Sequence, residues 1–127
     1  MNRCGIDIVE ICRIARLRDK EGFEQRILSA REQQLAAGRK KIDEFIAGRW
    51  AAKEAVAKAL GCGFGKNCSP DEIEILPDQL NAPQVFLSGR AAEQAAKTGI
   101  VSWSISISHE KNYAAGMAVA EIKTSEQ

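Results

Sequence analysis

The sequence holds one histidine, one tyrosine and three prolines, and its four cysteines (Cys4, Cys12, Cys62 and Cys68) form no CxxC pair. With His109 alone to help them, they do not have the ligand spacing of a structural zinc site. No stretch approaches the roughly 20 apolar residues needed to cross a bilayer, so a membrane role is not expected. The N-terminus, MNRCGIDIVEIC, meets charge within a few residues and lacks the apolar core of a signal peptide. The cytoplasm is therefore the expected compartment. Disulfides are rare there, and the cysteines read as small packing residues.

A chain of 127 residues points to one domain spanning residues 1–127. It is small enough that partner subunits would help bury its surface. An apolar fraction of 45% is ordinary for a globular protein and argues against disorder. The net charge of +1 hides an asymmetry. Residues 1–66 carry 14 Lys and Arg against 9 Asp and Glu, a net of +5, whereas residues 67–127 carry 4 against 8, a net of −4. A basic front half suits an anionic partner such as a phosphate, a nucleic acid or an acidic protein, although plain surface charge gives the same count.

Residues 5–11, GIDIVEI, are short and β-branched, which predicts a strand. Alternation sets Ile6 and Ile8 on one face and Asp7, Val9 and Ile11 on the other. A helix is expected over CRIARLRDKEG, ended by Gly22, and a helical turn over FEQRIL. Ser29-Ala30-Arg31-Glu32 reads as a capping box that opens a helix stopping near Gly38. The main helix is expected from about Ile42 to Leu60, with Gly61 as its left-handed stop. Apolar residues lie nearly all round it, so it should be buried on most sides, with Glu54 in a place poor in water. After a glycine-rich loop, residues 72–76 and 84–87 read as strands and RAAEQAAK as a helix closed by Gly99. SWSISIS (102–108) alternates strictly, HEKN reads as a turn, and YAAGMAVAEI returns as a second strand. The tail, residues 123–127, is polar and expected to fray. This order predicts an α+β fold, mainly antiparallel sheet around one long central helix.

Asp7 and Glu54 are the chemically suggestive pair. Two carboxylates that converge away from water repel unless a cation or proton lies between them. Mg2+ fits such a pair, because it takes one or two carboxylates and completes its shell with water and phosphate. The other reading gives each acid a Lys or Arg partner. Lys58, one turn after Glu54, reads either as a helix-stabilising partner or as an ammonium for phosphate. Gly61, Gly63 and Gly65 let backbone approach a ligand closely, though they form no Walker motif. His109 reads either as a local hydrogen-bonding residue or as part of a site.

Three stretches carry a family likeness: GIDIVEICRI, EFIAGRWAAKEAVAKALGCGFG and SISISHEKNYAAGMAVAE, with EIEILPDQ between the last two. Together they resemble the holo-acyl-carrier-protein synthases, the short group of 4′-phosphopantetheinyl transferases. The resemblance implies a compact α+β homotrimer with active sites between subunits. It implies transfer of the 4′-phosphopantetheine arm of coenzyme A to a serine of an apo acyl carrier protein, releasing adenosine 3′,5′-bisphosphate, with Mg2+ required. The carrier would serve fatty-acid synthesis or a dedicated pathway.

Carried onto this sequence, the resemblance makes Asp7 and Glu54 the metal ligands and Lys58 a contact to coenzyme A phosphate. It puts His109 near the nucleotide, sets Lys41 and Arg49 against coenzyme A, including its 3′-phosphate, and gives Gly61 and Gly63 to the loop that closes over it. Arg13 would dock the acidic carrier protein, with Arg16 and Arg18 on the same side. Glu54, acting through a water on the metal, is the candidate base for the serine proton. The sequence departs from the family pattern at Arg3-Cys4-Gly5-Ile6-Asp7, which keeps only the last Gly and the Asp. It departs also at Trp50, where Phe is commoner, and at Leu80-Asn81-Ala82-Pro83.

Two other classes compete with the transferase. One is a module that binds coenzyme A or a nucleotide without chemistry, for which a dry acid pair has no use. The other is an Mg2+-dependent nuclease or phosphohydrolase. The sequence offers no long basic groove with interleaved aromatics for nucleic acid.

Overall fold

A computed structural model describes residues 1–123. Of the tail expected to fray, residues 124–127 lie outside the described residues. Alternating apolar residues extend Asn2–Glu10 as strand β1, and helix α1 (Ile11–Arg18) follows directly. Gly22 does not end α1. That helix closes at Asp19, and Gly22, at φ 79°, instead starts the short helix α2 (Phe23–Ile27). Glycine suits that left-handed entry because it lacks a Cβ. The Ser29 hydroxyl and the Glu32 carboxylate form the expected capping box of α3 (Ala30–Ala36). Helix α4 runs Ile42–Leu60 and stops at Gly61, at φ 83°.

A single 3-10 turn, Pro70–Glu72, was not foreseen as helical. Ser69 and Glu72 cap it reciprocally. Strands β2 (Ile73–Pro77) and β3 (Pro83–Leu87) form a two-stranded antiparallel sheet, and helix α5 (Gly89–Thr98) follows. Strands β4 (Ile100–His109) and β5 (Tyr113–Ile122) pair as a hairpin. His109 is the last residue of β4 rather than the first of the turn.

The larger sheet has the order β1-β5-β4, antiparallel throughout, with Asp7 and Ile107 both opposite Gly116. Its inner face carries Val9, Ala114, Ala118 and Ala120, all buried, and packs on α4. Two glycines allow the helix to lie this low. A Cβ on Gly116 would stand 2.5 Å from the Ala52 nitrogen, and one on Gly5 would strike the Ala55 carbonyl oxygen and lie 2.9 Å from Lys58 Cβ. Gly48 meets Ile107 at 3.0 Å in the same sense. Helix α4 therefore crosses the sheet on a diagonal, over β4 at Gly48, over β5 at Ala51–Ala52 and over β1 at Ala55–Lys58.

Most of α4 is buried, as its apolar circumference requires. One buried residue is a lysine. Lys53 and Glu32 are both 0% exposed and paired at 2.6 Å. Lys53 also donates to the Pro70 carbonyl at 2.8 Å, and Glu32 accepts from the backbone of Ser29 and Ile75. The pair thus ties α3, α4, the 3-10 turn and β2 together, and every charged atom has partners.

The outer face of the sheet is apolar and open. Ile6 and Ile8 are each 66% exposed, and Met117, opposite Ile6, is 44% exposed. Of the cysteines, Cys68 is buried and Cys62 half-buried, while Cys4 and Cys12 are exposed, so the packing reading fails for those two. Cys4 lies on the sheet's outer face, and Cys12 on the open side of α1.

Candidate active site

Two groups of functional side chains emerge, one at each end of the diagonal. The first lies where α4 passes β1. Asp7 points to the helix side of its strand, as alternation required, and Glu54 is half-buried. Burial first, and then the negative charge of Asp7, push the Glu54 carboxyl above the usual carboxylate range. Lys58 and Arg13 pull it back. The two acids are therefore close enough to feel one another. Lys58 pairs not with Glu54 along the helix but with Asp7 across to the strand, at 3.3 Å, and donates to the Ile6 carbonyl at 2.8 Å. No ion pair among the described residues engages Glu54.

This arrangement passes the test for a divalent cation. It presents two hard carboxylate donors, one of them held at a cost in its charged form and without a partner of its own. Arg13, exposed on α1, is near enough for its charge to act on Glu54. Arg16 is exposed beside it. Arg18 is not part of that free surface, because it is bound to Asp43 at 2.6 Å and fastens α1 to α4.

The second group lies where α4 passes β4. Arg39, Lys40, Lys41, Arg49 and His109 surround a cleft of about 320 Å³ with Glu44, Phe45, Gly48 and Ile107. A neighbouring cleft of about 270 Å³ shares Arg39, Phe45, Arg49, Ile107 and His109 and extends to Pro77, Asn81 and Pro83. The two form one cationic trough. The Phe45 ring carries a guanidinium at 4.2 Å from Arg39 and another at 4.4 Å from Arg49. Burial lowers the Arg49 pKa, Glu32 opposes that, and Arg39 adds like-charge repulsion. The Arg49 Nε is buried without a partner. Such a trough suits an anion, which would relieve the repulsion between the two guanidinium groups. His109 Nδ1 lies 3.8 Å from Glu44.

The sequence profile of the 4'-phosphopantetheinyl transferase superfamily matches residues 3–118. The chain belongs to that superfamily. A holo-[acyl-carrier-protein] synthase of Hydrogenovibrio crunogenus is 45% identical over 123 residues, 94% of this chain and 96% of the relative. The Neisseria meningitidis holo-[acyl-carrier-protein] synthase superposes with a TM-score of 0.86 at 35% identity, covering 94% of this chain and 97% of that one. The Helicobacter pylori holo-[acyl-carrier-protein] synthase, solved in complex with coenzyme A, gives 0.81 at 39% identity, covering 93% and 99%. The α+β fold expected from the sequence is thus the fold of this transferase superfamily.

Within one chain, Asp7, Glu54 and Lys58 come together, and Lys41, Arg49 and His109 come together. Neither of the two clefts is lined by Asp7, Glu54 or Lys58. Gly61 serves as the helix stop, and a Cβ on Gly63 would meet nothing within 4 Å. Sequence reasoning missed Arg39, Lys40 and Phe45 in the trough. Arg39 and Lys40 carry no local signal beyond their charge, and Phe45 is one apolar residue among many in α4. Its spacing of four from Arg49 was the available signal for a stacked pair.

Proposed function

We propose that this transferase moves the 4′-phosphopantetheine arm of coenzyme A onto a serine of an apo acyl carrier protein. The observation that carries the proposal is the strained acid pair at Asp7 and Glu54, with Lys58 in reach, at the end of α4 that adjoins the glycine loop. The serine oxygen forms a bond to the β-phosphorus of coenzyme A. The bond from that phosphorus to the bridging oxygen breaks, and adenosine 3′,5′-bisphosphate leaves with the electron pair. Catalysis of such a transfer consists mainly of positioning and charge stabilisation.

Asp7 and Glu54 would hold Mg2+, which when bound would offset the negative charge of the diphosphate. Lys58, held between the Ile6 carbonyl at 2.8 Å and the Asp7 carboxylate at 3.3 Å, would offer its ammonium to a phosphate oxygen. Glu54, acting through a water, is the candidate to take the serine proton. Lys41, Arg49 and His109, with Arg39, bind the nucleotide end, where their positive charges would meet its phosphates. Gly61 and Gly63 leave the loop backbone free to approach the ligand. Arg13 and Arg16 meet the acidic carrier, with Arg13 next to the reacting groups.

The diagonal of α4 separates the acid edge from the cationic edge, so a complete site needs a second copy. The exposed apolar face of Ile6, Ile8 and Met117 supports self-association, and we assign a homotrimer with sites between subunits. The chain acts as one catalytic domain in the cytoplasm, and no helix among the described residues is long and apolar enough to cross a membrane.

The deciding experiment combines the protein with coenzyme A, Mg2+ and an apo carrier protein and weighs the carrier. A gain of one phosphopantetheine arm, lost on chelating Mg2+, is the expected result. Binding of coenzyme A with no change in the carrier would favour the non-catalytic module instead.

A further inference from the structure

The loop after α4 contains two thiols that the transferase chemistry does not use. Cys62 and Cys68 are six residues apart, and their sulfurs are in contact at 3.5 Å. Both positions are held by the surrounding fold. The Cys62 amide closes the helix end by donating to the Ala57 carbonyl at 3.1 Å. Cys68 is wholly buried in the core cluster that includes Leu60 and Ile73, and its carbonyl accepts from the Gly65 amide at 2.7 Å. Arg90 ties the outer part of the loop by donating to the Gly65 and Lys66 carbonyls at 2.8 and 2.9 Å. The sulfurs must approach by roughly 1.5 Å to reach bonding distance. Nothing packs on the loop at its two glycines, since no atom lies within 4 Å of a would-be Cβ on Gly63 or Gly65.

We propose that Cys62 and Cys68 are a dithiol site for reversible oxidation, closing a disulfide across the base of the glycine loop by exchange with a low-molecular-weight disulfide. Cys62, half-buried, is the entry point. Its thiol gives a proton to solvent, and the thiolate attacks one sulfur of the small disulfide. That S–S bond breaks, and the first small thiolate leaves and is protonated. Cys68 then attacks the Cys62 sulfur, losing its own proton, and the second small thiolate departs and takes up a proton. The protein dithiol is oxidised by two electrons, and the small disulfide is reduced to two thiols.

Burial first, and then its hydrogen bond with Cys62, push the Cys68 thiol up to about 12. Cys68 is therefore a poor first nucleophile, which fits it as the second attacker, acting on a sulfur already beside it. Phe64 lies inside the closed loop and packs against Trp50, with ring centroids 5.7 Å apart. Oxidation therefore fixes the aromatic wall beside the apolar cleft lined by Trp50, Phe64 and Ile27. The inference does not depend on the proposed reaction.

The test treats the full chain, with Cys4 and Cys12 changed to serine, with oxidised glutathione. The expected product is lighter by two hydrogens and carries no free thiol. Trypsin should release peptide 59–66 joined to peptide 67–90, separable by reductant. Tm should rise by about 5 °C, since the closed loop restricts the unfolded chain. In Cys68→Ser the same treatment should leave one glutathione on Cys62. In Cys62→Ser the buried thiol should stay unmodified, and Tm should not move. Both thiols remaining free, or glutathione accumulating on Cys62 with Cys68 present and never being displaced, would overturn the proposal.

Discussion

Adding one methyl group at Gly5 should damage the site more than its size suggests. Its Cβ would strike the Ala55 carbonyl and stand 2.9 Å from Lys58 Cβ, where carbon atoms prefer about 3.5–4.0 Å. Backbone atoms of two packed elements must therefore part by roughly 1 Å. Overpacking of this kind costs about 1–3 kcal/mol, occasionally more. The displaced helix carries Glu54 and Lys58, while the strand that pushes it carries Asp7 two residues on. A misplacement of about 1 Å between reacting groups costs on the order of 10²-fold in rate. Gly5→Ala should thus lower Tm and cut kcat about 100-fold without preventing coenzyme A from binding to the cationic trough. Thermal unfolding, steady-state transfer and coenzyme A titration measure the three effects. Gly63→Ala is the control, because its Cβ meets nothing, and it should keep the parent Tm. A Gly5→Ala protein as stable and as active as the parent would refute the claim that glycine sets the distance between the acids.

Lys53→Met should destabilise by about 3–5 kcal/mol by leaving the Glu32 charge buried without its cation, whereas Lys53→Met with Glu32→Leu should recover much of that loss in chemical denaturation. Glu54→Gln should abolish most turnover, by about 10²-fold or more, yet raise Tm at neutral pH. The folded-state pKa of Glu54 lies above its unfolded value, so its stabilisation is complete below the unfolded pKa and is lost as pH rises through the folded one. The Tm advantage of Glu54→Gln should therefore shrink towards zero in acid, and a pH-independent advantage would contradict the reading. Ile6→Asp should lower the mass measured by light scattering to that of a single chain and remove transfer activity together with it.

The long helix was legible almost to the residue, because an apolar circumference and a glycine stop are local signals. The capping box at Ser29 was legible for the same reason. Its glutamate was only half understood: Glu32 also anchors Lys53, a partner 21 residues away that no local pattern reveals. Asp7 could be placed on an inner face by alternation, but its pairing with Lys58 in place of a Glu54–Lys58 pair follows from the closeness of strand and helix at Gly5. Gly22 was read as an ending when it is a beginning, since a left-handed glycine can serve either side of a junction. Arg13, Arg16 and Arg18 looked alike in sequence, and only the contact with Asp43 takes Arg18 out of the proposed docking surface. The trough draws on Lys41, Arg49, His109 and Pro83 from four parts of the chain, so its continuity depends on tertiary packing.

In the proposed assembly, the slanted course of α4 gives each polypeptide two half-sites that belong to different catalytic centres. Two inactive proteins, Glu54→Gln and Arg49→Ala, should therefore rescue one another when denatured together and refolded as mixed assemblies. With equal amounts and random association, about a quarter of the junctions pair an unaltered acid edge with an unaltered cationic edge. Separately refolded and then merely mixed, the same two proteins should stay inert for as long as their subunits do not exchange.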